Sequence, residues 1–108
     1  MESLSYEFGP WNIIRVPKNM TPIIVGVVGS GNLEILLEDT DLNGKSRFIV
    51  ETSVSGFANT WQAVLRDFSD QQQFSNTLIT INDGGATPAV VQLRLMQAAQ
   101  QWRAQYED

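Results

Sequence analysis

The 108-residue chain contains no cysteine and no histidine. The first absence excludes disulfides, a thiolate nucleophile and any cysteine-based metal or iron–sulfur centre. The second removes the usual general base at neutral pH and the commonest nitrogen ligand for a metal. A Ser-His-Asp arrangement is therefore out of reach. Basic residues are scarce: seven Lys and Arg stand against twelve Asp and Glu, for a formal net charge of −5. The seven are scattered, so no basic patch is available to displace counterions from nucleic acid. Long apolar runs are lacking too. The longest, residues 23–28, is far too short to cross a bilayer, and the start "MESLSYEF" has neither the basic nor the apolar region of a secretory signal. A cytoplasmic chain with no membrane or nucleic-acid partner is expected. The acidity serves solubility, or docking on a basic partner surface.

What remains is ordinary globular material. Hydrophobic residues make up 43%, enough for a core, and the length suits one domain spanning residues 1–108. Leu4, Tyr6 and Phe8 alternate with polar residues, as in a half-buried strand ended by Gly9 and Pro10. Residues 9–21 read as a loop, with Trp11, Ile13 and Ile14 tucked under the domain edge. The β-branched run 22–28 and the alternating 33–39 predict two strands joined through Gly-Ser-Gly-Asn as a hairpin. Asn43-Gly44 signals a second hairpin, returning along a strand over 47–54. Phe57, Trp61, Val64, Leu65 and Phe68 recur at helical spacing. Residues 77–82 alternate as a further strand. Thr87 and Pro88 suit the N-cap and first position of a helix, whose buried stripe runs through Val91, Leu95, Ala99, Trp102 and Tyr106. The predicted fold is α+β: elements in the order β-β-β-β-α-β-α, a mostly antiparallel sheet, and two amphipathic helices on one face.

Few residues can carry chemistry. Glu34 and Glu38 share a strand face, where a solvated surface is the commoner role. Glu38, Asp39 and Asp41 cluster near a turn, yet nothing matches a calcium loop, so no metal site is assigned. "NDGGATP" at 82–88 sits between a strand and a helix, where backbone N–H groups can face an anion. It has neither the spacing nor the lysine of a phosphate loop, and a tight turn is the simpler reading. The most pointed feature is "VGSG" at 28–31. Gly29 and Gly31 leave Ser30 unshielded, yet the chain has no base to activate its hydroxyl. Ser30 is either turn filler or a site that another enzyme modifies.

The segment "VGVVGSGNLEILLE" resembles the acyl carrier (delta) subunits of malonate decarboxylase. "TSVSGFANTW" at 52–61, "INDGGATPAVVQLRLMQA" at 81–98 and the opening "MESLSYEF" resemble further blocks of that family in the same order. The carrier subunit of citrate lyase fits less well and is the alternative, together with an unmodified protein-interaction module. The resemblance implies a non-catalytic carrier, unlike the four-helix acyl carriers, whose Asp-Ser-Leu motif is absent here. It implies that Ser30, flanked by Gly29, Gly31, Asn32 and Glu34, carries 2′-(5″-phosphoribosyl)-3′-dephospho-coenzyme A through a phosphodiester. The thiol would then come from this prosthetic group. The family motif often continues Gly-Ser-Gly-Asp-Leu-Glu; Asn32 replaces the Asp, while Leu33 and Glu34 match. The implied partners are the alpha (acyl transferase), beta and gamma (decarboxylase) subunits, the prosthetic-group transferase and a malonyl transferase. The arm would hold acetyl, exchange it for malonyl at alpha, and return to acetyl on decarboxylation at beta and gamma.

Overall fold

The computed structural model describes residues 1–12, 20–27 and 32–107. Five strands and two helices follow one another as β1 (Glu2–Phe8), β2 (Ile23–Gly26), β3 (Leu33–Asp39), β4 (Ser46–Thr52), α1 (Ala58–Gln72), β5 (Thr77–Asp83) and α2 (Pro88–Arg103). This is the predicted order. The strands form one sheet arranged β1-β4-β5-β3-β2. Neighbours run antiparallel except β4 and β5, which are parallel. A parallel pair needs a crossover connection, and α1 supplies it.

Strand alternation puts one residue set on each sheet face. Leu33, Ile35, Leu37, Phe48, Val50, Ile79 and Ile81 point to the same side and are almost wholly buried. Both helices cover that side. Trp61, Leu65 and Phe68 of α1 and Val91, Leu95, Ala98, Ala99 and Trp102 of α2 join the same core cluster. Slipping any central strand by one residue would turn its buried set to the open face, so the core pins the register. The predicted α2 stripe is buried as far as Trp102, and Tyr106 packs against the core beyond the helix. Thr87 caps α2, its hydroxyl accepting from Val90 N at 3.3 Å, with Pro88 at the first position. Among the described residues no helix is long and apolar enough to cross a membrane.

Four expectations need correction. Phe57 is 51% exposed and stands at the N-cap of α1 rather than within its buried face. Asn43-Gly44 does turn the chain with positive φ, but β3 and β4 do not pair, because β5 lies between them. The link between β3 and β4 crosses the start of β5 and is held by Asn76. The Asn76 side-chain oxygen accepts from Leu42 N and Gly44 N at 2.9 and 2.8 Å, and its carbonyl accepts from Thr40 N. The expected strand over 47–54 begins and ends earlier, at Ser46 and Thr52, where the Thr52 hydroxyl accepts from Val54 N and turns the chain out. The expected strand over 22–28 stops at Gly26. Trp11 is partly buried as expected, donating from its backbone to Gly44 O and from its indole to Ser46 Oγ. Ile13 and Ile14 lie outside the described residues.

Candidate functional site: the base of the β2–β3 connection

β2 and β3 pair from Ile23 with Leu37 to Gly26 with Glu34. The ladder stops there for a local reason. Gly26 has φ +85°, a conformation that side chains disfavour. A Cβ at this position would lie 2.1 Å from the Leu33 carbonyl oxygen and 3.0 Å from Arg94 Nε. The close approach admits no side chain, so glycine opens the strand pair into the connection that contains the Gly-Ser-Gly motif. Val27 and Asn32 at its two described ends are exposed. Gly29, Ser30 and Gly31 lie outside the described residues. Ser30 is two residues from Asn32 along the chain.

The far end of this connection is anchored to the loop after β5. Leu33 pairs with Asp83 across the strands, and one step on the Asn32 carbonyl accepts from Gly84 N at 2.8 Å. A backbone carbonyl makes that bond, so an aspartate at position 32 could make it as well as Asn32 does. Glu34 points to the open sheet face, where it accepts from Asn82 Nδ2 at 3.4 Å. Glu38 lies on that same face, paired across the strands with Leu78. Among the described residues there is no group of three or more carboxylates that could hold a metal ion.

The 82–88 loop is a turn built around its own carboxylate. Asp83 Oδ1 accepts from Gly85 N and Ala86 N at 3.0 and 2.8 Å, and Oδ2 accepts from the Thr52 hydroxyl at 2.8 Å. Donors that could have faced a bound anion are already engaged, which favours the turn over the anion-binding reading. Its rigidity has a positional effect, because this loop carries Gly84, the partner of Asn32.

Arg94 of α2 stands over Gly26 at the other end of the connection. One guanidinium nitrogen donates to Gln97 Oε1 at 3.1 Å, while Nε is buried without a hydrogen-bond partner among the described residues. A guanidinium with donor capacity to spare suits a phosphodiester.

Sequence reasoning missed Gly26, Asp83 and Arg94. A glycine inside a β-branched run marks close backbone approach, so "IIVGVVG" did hold a signal for Gly26. The NDGG turn held one for Asp83, since Asp side chains bond backbone N–H groups two residues on. Arg94 had none, because only the packing of α2 on β2 brings it there.

The sequence and the fold both match known proteins. The family model described as the malonate decarboxylase delta subunit (MdcD) matches residues 20–102. A malonate decarboxylase acyl carrier protein from Stenotrophomonas maltophilia is 45% identical over 100 residues, covering 93% of this chain and 92% of the relative. Another from Xanthomonas campestris is 47% identical over 98 residues, with 91% of each chain covered. One from Burkholderia cepacia is 52% identical over 80 residues, 74% of this chain and 73% of the relative. A chain in the crystal structure of a Pseudomonas malonate decarboxylase hetero-tetramer in complex with malonate superposes with a TM-score of 0.79 at 42% identity, covering 94% of this chain and 98% of that one. On these matches, this chain belongs to the malonate decarboxylase delta subunit family.

Proposed function

We propose that the chain is the acyl carrier subunit of a cytoplasmic malonate decarboxylase, and that the Ser30 hydroxyl is the attachment point of a phosphoribosyl-dephospho-coenzyme A arm. The observation that carries the reading is a Gly-Ser-Gly motif on the β2–β3 connection of a chain in the delta-subunit family. When attached, the arm supplies the thiol on which acetyl and malonyl are held; the chain itself has no cysteine. The role of this chain is placement. Gly26 opens the strand pair, and Asn32 and Asp83 secure the far end of the connection to a core-bearing sheet. The Arg94 guanidinium is the donor offered to the phosphate end of the arm. A stiff base under a long tether gives each partner the acyl group at high effective concentration and in a reproducible direction. The partners are the alpha, beta and gamma subunits and the enzymes that attach and first load the arm.

Reconstitution tests the reading. Arm-bearing chain added to the other subunits should support decarboxylation of malonate, and Ser30→Ala chain should support none. Equal turnover with Ser30→Ala would remove Ser30 from the process.

A further inference from the structure

Next to the Asn32–Gly84 bond lies an open groove of about 300 Å³ between the N-terminal ends of α1 and α2. Its walls are Val54, Phe57, Trp61, Val64, Ala86 and Val91. Thr60 and Gln92 sit on its exposed rim. The one carboxylate in its lining, Asp83, has both oxygens engaged by Thr52, Gly85 and Ala86. Val54 and Phe57 are 40% and 51% exposed, large apolar side chains left uncovered.

The groove and Asn32, the described end of the β2–β3 connection, meet at one loop. Asp83, Gly85 and Ala86 line the groove, and Gly84, between them, holds the Asn32 carbonyl. Ser30 is two residues from Asn32, so a tether of pantetheine length reaches the groove without any change in the sheet. We propose that this groove is the resting site for the acylated end of the arm, and that it takes a small neutral acyl thioester and rejects a carboxylate-bearing one. The inference rests on the reading that Ser30 carries the arm. A tethered group samples a neighbouring apolar surface at high effective concentration, so a shallow, weakly binding groove suffices. An acetyl thioester presents only apolar and weakly polar atoms to these walls. A malonyl thioester would bring an anion out of water, against apolar side chains and next to the Asp83 carboxylate, which is unfavourable. The groove therefore shelters the acetyl form from water and leaves the malonyl form extended toward a partner.

The test uses the full chain bearing the arm, with intact mass confirming its presence. Cleavage of the thioester by hydroxylamine is timed for the acetyl arm, the malonyl arm and the same thioesters free in solution. The acetyl arm should react several-fold more slowly than its free counterpart, and the malonyl arm at the rate of its own. Thr60→Trp and Gln92→Trp fill the groove from exposed rim positions and should each restore the free rate in the acetyl arm. Amide and indole NMR signals of Val54, Trp61 and Ala86 should move on acetylation and not on malonylation. An arm that is present but reacts at the free rate overturns this inference alone, as does equal protection of both acyl forms or protection that survives both tryptophan variants. A chain that carries no arm in its native host overturns the carrier reading, and this one with it.

Discussion

The carbonyl oxygen of Asn32 accepts a hydrogen bond from the backbone N–H of Gly84 at 2.8 Å. The bond ties the exit of the β2–β3 connection to the loop between β5 and α2, two segments far apart in sequence. It makes the Asp83 turn part of the support for Asn32, although Asp83 is remote from Asn32 along the chain.

Gly26→Ala should damage the platform at its other end. The new Cβ would meet the Leu33 carbonyl oxygen at 2.1 Å and would sit at φ +85°. Backbone strain of this kind costs about 1–3 kcal/mol, and the clash adds to it. Urea unfolding should show a lower midpoint, and arm attachment should slow further than the stability loss explains. An unchanged midpoint would mean that the strand pair opens for another reason.

Asp83 offers a graded test. Asp83→Ala leaves Gly85 N, Ala86 N and the Thr52 hydroxyl without their acceptor; of these the Thr52 hydroxyl is buried, and an unsatisfied buried group costs about 1–3 kcal/mol. Asp83→Asn keeps a carbonyl oxygen for the two N–H groups and should lose less. Hydrogen exchange at Gly85 and Ala86 should be fastest in the alanine variant and intermediate in the asparagine one. Equal exchange in both variants would contradict the turn described for this loop.

Arg94→Met retains a long apolar stem against Gly26 and removes the guanidinium. Stability should change by about 1 kcal/mol, since one part-buried hydrogen bond to Gln97 is lost. Arm attachment by the transferase should slow, and Arg94→Lys should recover part of the rate. An unchanged rate in Arg94→Met would take the guanidinium out of the site.

Tyr6 sets an alkaline limit. Burial raises its phenol above the ordinary value of 10.0, and the negative charge of Glu2 adds to the rise. Its hydroxyl donates to the Ala58 carbonyl at 2.7 Å. The folded state therefore holds the phenolic proton more tightly than the unfolded state. Its contribution is complete below pH 10.0 and is lost as pH rises through the folded pKa. Tyr6→Phe should cost about 1 kcal/mol at neutral pH through the lost bond and flatten the fall in stability above pH 10.0. Parallel pH profiles for the two proteins would show that Tyr6 is not the group responsible.

The strands and helices were legible because burial imposes a period: Leu33, Ile35 and Leu37 alternate, and Trp61, Leu65 and Phe68 return on one helix face. Strand neighbours were not. Asn43-Gly44 reports a reversal of chain direction and nothing about which strand then lies alongside. That choice is made by α1, whose crossover inserts β5 between β3 and β4, and by Asn76, which holds the link across the start of β5. The site was legible in the same partial way. Two flanking glycines and the family resemblance single out Ser30, whose attachment role is proposed. Gly26, Asp83 and Arg94 matter through contacts with Leu33, Gly84 and the strand edge, which exist only once the sheet has formed.

The most direct test is the intact mass of the chain isolated from its native host during growth on malonate. Our account predicts that, once hydroxylamine has removed any acyl group, the wild-type chain carries a single added mass equal to phosphoribosyl-dephospho-coenzyme A less water, absent from Ser30→Ala, with both chains folded. A wild-type chain at its bare sequence mass under those conditions, or the same addition on Ser30→Ala, would contradict it.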